Sequence, residues 1–276
     1  NTVVSSHFVD GLRLRVSGRT TANLNKHLFW NGYYAYGTKT GNHYYGSEIT
    51  YALNKKKNVP FEFPQRNIIF ESARDVMSPA DKYLIHNKDN MFMAFRVQKV
   101  EQMYFYNRQR LAFNYETDWG LRLNTEIKAE SNEPAGDLYF KHIDDGSMVN
   151  KIRTTELTVG IKYCPGQTYI NTKQQRWPVN LDAPEFTVSH TTGLKNFLGG
   201  QYKLNLTTVG IYKRFWLGSW GYIDNHLKGG AQWSKAPFPL LIMPPVNVSF
   251  FELENTFSMM RNMEFISDRY AYWAVC

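Results

Sequence analysis

Apolar and polar residues alternate with a period of two along most of this chain. The clearest run is residues 119–130, WGLRLNTEIKAE. Arg122, Asn124, Glu126, Lys128 and Glu130 fall on one face, and Leu121, Leu123, Thr125, Ile127 and Ala129 on the other. Successive side chains of a β-strand point to opposite faces, so the run predicts a strand with one polar and one apolar side. The pattern recurs where Leu12, Leu14 and Val16 alternate with Arg13, Arg15 and Ser17, and where Ile49, Tyr51 and Leu53 alternate with Glu48, Thr50 and Ala52. It recurs again at 155–163, with Leu157, Val159 and Ile161 opposite Glu156, Thr158 and Lys162. Tyr202, Leu204 and Leu206 alternate with Lys203, Asn205 and Thr207; after Thr208 the phase slips to Val209 and Ile211, which predicts a bulge. Further strands are expected at 27–36, 61–72, 97–116, 186–191, 215–226 and 264–275. That makes roughly ten to twelve strands, with a helical turn expected only within 75–90, where Ser78-Pro79-Ala80-Asp81 resembles a helix start.

Several of these strands run to ten residues or more, where soluble proteins favour about 5–6. A tilted strand that crosses a bilayer needs about 9–11 residues. Short connections at 20–25 and 37–42 contrast with long polar or proline-rich ones at 131–150, 165–184 and 229–255. Short turns on one side and long loops on the other are the pattern of outer-membrane barrels. Aromatic pairs at 29–30, 33–34, 44–45, 104–106 and 215–216 suit the aromatic girdles of such a barrel, though a β-sandwich core is also rich in aromatics. The pattern alone favours a barrel over a sandwich. The longest apolar run, 236–246, contains Pro237, Pro239, Pro244 and Pro245, which rule out a helix there. No run of about 18 apolar residues exists for a transmembrane helix, and this leaves a barrel open.

Composition adds two constraints. Charged residues make up only 20 % of the 276 and aromatics 16 %, which argues against disorder. The net charge of +8 could serve nucleic acid, but the only tight basic run is Lys55, Lys56 and Lys57, which reads as a turn, so no nucleic acid is expected as a partner. Cys164 and Cys276 are too few for a disulfide framework and are expected to be free thiols. None of the seven histidines sits at ligand spacing from another His or Cys, so no metal and no cofactor is expected. No phosphate loop, dinucleotide fingerprint or serine elbow is present. Asp144 and Asp145, before Gly146, read as a solvated turn rather than a catalytic pair. With the apolar faces turned to lipid, the inward set would be Arg13, Arg15, Glu48, Arg122, Glu126, Lys128, Glu156, Lys162 and Lys203. Mixed charge inside a barrel pairs internally and requires no catalytic role.

Residues 10–57 begin Asp10-Gly11-Leu12-Arg13-Leu14, pass through Gly18-Arg19-Thr20 and Tyr36-Gly37, and end in the strand from Tyr51 to Lys55. Later come PFPLLIM at 237–243, the stretch 247–252 and TFSMMRNMEFISDRYAYW at 256–273. These motifs resemble a family of Gram-negative outer-membrane proteins with an N-terminal carboxypeptidase-regulatory-like domain and a C-terminal barrel of unassigned function. That barrel is similar to those of the barrel-assembly and surface-antigen superfamily. Two departures are Ile266 for the family's valine and Val246 for its usual glycine before Asn247. The resemblance spans about residues 10–273, by strand pattern alone in the middle, and implies that the chain is a barrel fragment truncated at both ends.

The resemblance also implies a loop anchored in the lumen near the final motif. Arg261, Glu264, Asp268 and Arg269 are the candidates; Glu264, Ile266 and Asp268 share one face of the expected strand, and Arg269 points the other way. A strand end whose charges simply face water is the competing reading. The expected fold is therefore all-β: a single partial antiparallel transmembrane β-barrel over 1–276, present as an open, curved sheet. The expected function is non-enzymatic, in the outer membrane of a Gram-negative bacterium, with a role in outer-membrane protein assembly or export implied by superfamily analogy. Expected partners are outer-membrane lipid and other outer-membrane proteins. The alternatives are a passive porin-like or adhesin barrel, or a soluble secreted β-sandwich that binds glycans.

Overall fold

The computed structural model describes residues 3–7, 9–83, 100, 102–142, 146–247, 256–257 and 259–276. The alternating pattern becomes one 12-stranded antiparallel sheet in which almost every strand pairs with its neighbours in sequence. Its strands are β1 (Val4–His7), β2 (Gly11–Arg19), β3 (Leu28–Gly37), β4 (His43–Ala52), β5 (Arg66–Met77), β6 (Gln102–Glu116), β7 (Leu121–Gly136), β10 (Ile152–Tyr163), β13 (Glu185–Gly193), β14 (Asn205–Trp216), β15 (Tyr222–Gln232) and β16 (Arg269–Val275). Two small hairpins sit in the connections: β8 (Phe140–Lys141) with β9 (Met148–Val149), and β11 (Tyr169–Asn171) with β12 (Arg176–Pro178). The sheet is open, because β1 and β16 lie at its two ends and do not pair.

The sheet curls. Three strand spacings separate β2 from β5, about 14 Å in a flat sheet. Yet Arg13 on β2 and Asp75 on β5 meet at 2.7 Å on one face. That face is concave, and it is the polar one. On β10, Leu157, Val159 and Ile161 are 37, 41 and 48 % exposed, whereas Glu156 between them and the turn of the chain is 6 % exposed. The same inversion holds on β2, where Leu12, Leu14 and Val16 are exposed and Arg13 is 1 % exposed. Burial therefore follows the curl of the sheet rather than the polarity of the residue, the reverse of a water-soluble sheet.

Because every strand reverses direction, connections alternate between the two ends. At the upper end β3 joins β4, β5 joins β6, β7 joins β10, β13 joins β14 and β15 joins β16. The lower end carries 20–27, 53–65, 117–120, 164–184 and 217–221. The two short turns expected at 20–25 and 37–42 thus lie at opposite ends, and the long 164–184 shares an end with the short 20–27, 117–120 and 217–221. Sidedness by length holds for most connections and not for these.

Other expectations shift. The strand expected over 215–226 is a hairpin corner: Gly218 and Gly221 both take positive φ, 64° and 102°, and residues Gly218–Trp220 form a 3-10 turn. The bulge expected after Thr208 is absent, since β14 pairs without interruption with both β13 and β15. Tyr202 and Leu204 precede the strand, where Leu204 is buried in a core cluster, and Lys203 beside them is exposed rather than inward. The expected helical turn is the 3-10 segment Pro79–Tyr83, with Asp81 accepting from the Ser78 N–H at 3.1 Å. Residues 84–99, Asp144 and Asp145 lie outside the described residues.

Candidate functional site

The concave face is a continuous polar surface organised by register. At its upper end the Arg13 guanidinium grips Asp75 through two hydrogen bonds, Nη1 at 2.7 Å and Nη2 at 2.9 Å. Both side chains are essentially sealed from solvent. The Tyr33 ring lies over Gly46, where a Cβ would sit 2.3 Å from a ring carbon, and its hydroxyl donates to Asp75. Only glycine leaves room for that crossing. Arg15 stacks on the same ring at 3.8 Å, and Tyr44 donates to Asp10 at 2.6 Å while lying under Arg13.

Below this cluster, the register places Glu48, Glu71, Arg110, Lys128 and Glu156 in one row across β4, β5, β6, β7 and β10. Arg110 bonds Glu71 at 2.7 Å and Glu126 at 3.2 Å, Arg108 bonds Glu130 at 2.6 Å, and Lys128 meets Glu156 at 2.8 Å. Lower still, Asn67, Asn114 and Asn124 form an amide ladder, with Asn114 donating to Asn67 at 3.0 Å and Asn124 to Asn114 at 2.6 Å. Past Gly160 the same rung continues as the hydroxyl pair of Ser189 with Thr208, and the row of Glu126 continues as the pair of Thr158 with Thr191. Each rung joins neighbouring strands through side chains as well as backbone, which stiffens the wall.

Connections fold over both ends of this face. At the upper end, residues 236–246 enter the concavity. Val246 packs with Ala35, Tyr44, Val76 and Met103, and Leu240 with Ala73, Met77, Tyr104 and Ile152. The proline-rich run at 236–246 is thus an extended insert whose Leu240, Ile242, Met243 and Val246 are buried. On its return it is held by Asn262, which donates to Ser78 at 2.9 Å, and by the bridge between Ile242 and Ser267. At the lower end, the β11–β12 hairpin clips to the 53–65 connection. Asn171 exchanges two hydrogen bonds with the backbone of Phe63, at 3.0 and 3.1 Å, and Arg176 bonds Glu116 at 2.7 Å. Within 53–65, the Glu62 carboxylate accepts from the N–H groups of Lys57, Asn58 and Val59. Lys56, in the basic run that reads as a turn, is 2 % exposed and donates to the carbonyls of Glu62 and Pro64, both at 2.8 Å. Burial pushes its ammonium down to about 8.

The structure sets the four expected residues away from this network. Arg261 and Glu264 belong to one turn, in which the Arg261 N–H donates to the Glu264 carboxylate at 2.8 Å, and both side chains are exposed. The strand begins only at Arg269, so Glu264, Ile266 and Asp268 do not share a strand face; Asp268 is exposed, and its carbonyl accepts from Gln232. Arg269 lies 5.9 Å from the Trp233 ring on the outer side. The side chains that do hold the insert, Asn262 and those of the apolar run, went unread because proline density signals only that a helix is excluded. Of the inward set, Lys203 alone leaves the wall; the rest lie on strand positions of the concave face.

Cys164 and Cys276 are free thiols, the first buried and the second exposed. Among the described residues no three His, Cys, Asp or Glu side chains gather as a metal-holding group. No curated protein matches the chain. The family model described as Family of unknown function (DUF5686) C-terminal domain matches residues 2–237, 236 of the 276 positions, and the chain belongs to that family.

Proposed function

We propose that this chain is the greater part of the wall of an outer-membrane β-barrel, non-enzymatic, with its apolar convex face in lipid and its polar concave face turned to a lumen. The observation that carries the reading is the inverted burial: aliphatic and aromatic residues on nearly every strand of the large sheet are exposed, while the charged residues between them are sheltered. Water alone would not select that arrangement, whereas a hydrocarbon exterior would. Open sheet edges cannot stand in lipid, so the reading requires the edges of β1 and β16 to be covered by further strands in the membrane.

Between a transport pore and an assembly or export barrel, the insert at 236–246 favours the second. It fills the upper concavity with Leu240, Met243 and Val246, and the hairpin at 164–184 lies across the lower end. A passive water-filled pore needs that space. The assignment of outer-membrane protein assembly or export follows from likeness of architecture. The test is the migration of the full-length protein from isolated outer membranes on a gel, with and without boiling. A heat-dependent shift together with resistance to carbonate extraction supports a folded barrel. Release by carbonate with no shift overturns the reading and restores the soluble sandwich.

A further inference from the structure

The insert does not fill the concavity evenly. Over β3 to β6 its side chains seat directly against the wall. Over β14 to β16 it stands off and leaves a cavity of about 350 Å³. Its walls are Leu206, Ile242, Met243, Phe257, Phe265 and Tyr272. Leu206 occupies an inward position that is polar on most of the other strands, which is what produced the phase slip in the sequence. The floor holds one cation, Lys228, placed between Gly210 on β14 and Tyr272 on β15's other neighbour, β16. Elsewhere on this face most cations are paired: Arg13 with Asp75, Arg108 with Glu130, Arg110 with Glu71, Lys128 with Glu156 and Lys162 with Glu185, whereas Arg122, away from this cavity, has no ion pair among the described residues. Lys228 is half-buried and no acid of the described residues pairs with it.

We propose that this cavity is a binding site for a single-chain amphiphile with an anionic head, a fatty-acid-like carboxylate, whose chain lies against Leu206, Met243 and Phe257 and whose head meets Lys228. An apolar chamber with few polar groups is the usual form of a small-molecule site, and about 350 Å³ lies at the lower end of the ~300–1,000 Å³ range. That size admits one chain and not a two-chain phospholipid. The uncompensated charge selects the sign of the head: a cationic or neutral one would leave Lys228 without a counter-charge in a largely apolar chamber. The site stands apart from the membrane reading, since it needs only the wall and the insert.

The test uses the full-length protein in a neutral short-chain detergent, with dodecanoate or dodecanol added and bound molecules counted by native mass spectrometry. The expected result is one saturable dodecanoate adduct, held at least tenfold more tightly than dodecanol. Lys228→Met should weaken dodecanoate at least tenfold and erase the preference over dodecanol. Leu206→Trp, which fills the chamber, should remove both adducts while the gel heat-shift is retained. Several unsaturable adducts, equal binding by Lys228→Met, or no adduct on a wild type that still shows the heat-shift would each overturn the site, and the last would leave the barrel reading standing.

Discussion

The sealed pair of Arg13 and Asp75 makes the sharpest test of how the concave face is held. Among the hydrogen bonds that Asp75 accepts are two from Arg13, one from the Tyr33 hydroxyl and one from the Val76 N–H. Hydrogen bonds to a charged group are each worth about 1.5–3 kcal/mol, and two unit charges about 4 Å apart attract by about 4 kcal/mol at an effective dielectric of 20. Most of that gain offsets the cost of taking both ions out of water. Removing one partner leaves the other charge stranded, so Asp75→Ala should cost about 3–5 kcal/mol. With a denaturant slope of about 2 kcal/mol/M, the urea midpoint of the full-length protein in lipid vesicles, followed by tryptophan fluorescence, should fall by about 2 M. The combined variant Arg13→Met, Tyr33→Phe and Asp75→Leu removes the charges and the hydroxyl together. It should recover to within about 2 kcal/mol of wild type, since a packed apolar replacement of a buried pair is often close to neutral. A midpoint unchanged by Asp75→Ala, or a combined variant no better than Asp75→Ala, would refute the argument that the cost lies in the stranded charge.

Three further outcomes follow from separate parts of the molecule. Lys56 has a folded-state value of about 8, below its unfolded range, so the unfolded chain binds more protons between about pH 8 and 10. Stability should therefore rise with pH across that window, by at most about 1.4 kcal/mol per unit, and Lys56→Met should flatten the rise in a pH series of urea melts. Gly120 has φ +96°, and a Cβ there would lie 2.2 Å from the Cys164 carbonyl oxygen, so Gly120→Ala should destabilise by at least about 2 kcal/mol and reduce the heat-shifted fraction. Val159→Arg, on the convex face of β10, should cost about 2–4 kcal/mol in a bilayer, and Thr158→Arg, one residue away on the concave face, much less. Equal costs at the two positions in vesicle unfolding would remove the assignment of lipid to the convex side.

The strands were legible because each residue from 121 to 130 sits between two different surroundings, and alternation records both. What alternation cannot supply is register. That Arg110 reaches Glu71, Glu48 and Glu126 depends on which residues face each other across β4 to β7, a long-range fact with no local signature. The corner at 217–221 was hidden because Phe215, Trp216, Tyr222 and Ile223 read as one aromatic strand, while the two glycines that bend it are unremarkable in sequence. The phase change near Thr208 was a true signal read for the wrong cause. It marks the boundary between a buried approach at Tyr202 and Leu204 and a strand whose inward Leu206 faces the insert. The final motif misled in the opposite direction: its strand starts at Arg269, since residues 259–264 form turns and Met263 takes φ 62°.

The insert also sets an order of events in time. Nearly every pairing in the wall joins strands adjacent in sequence, so hairpins can zip one after another with little chain entropy lost at each closure. Val246 and Leu240 break that locality, because they pack on Tyr44 and Ala73, about two hundred and about one hundred and seventy residues earlier. The apolar patches around Tyr44 and Tyr104 must therefore wait, uncovered, until β15 has formed and the chain beyond it can turn back. A nascent wall would spend that interval with sticky surface inside its own curve, the kind of surface holding chaperones recognise. Seating of residues 236–246 is then the late event that separates an assembled wall from an unfinished one, and protease access to that segment gives a clock for it.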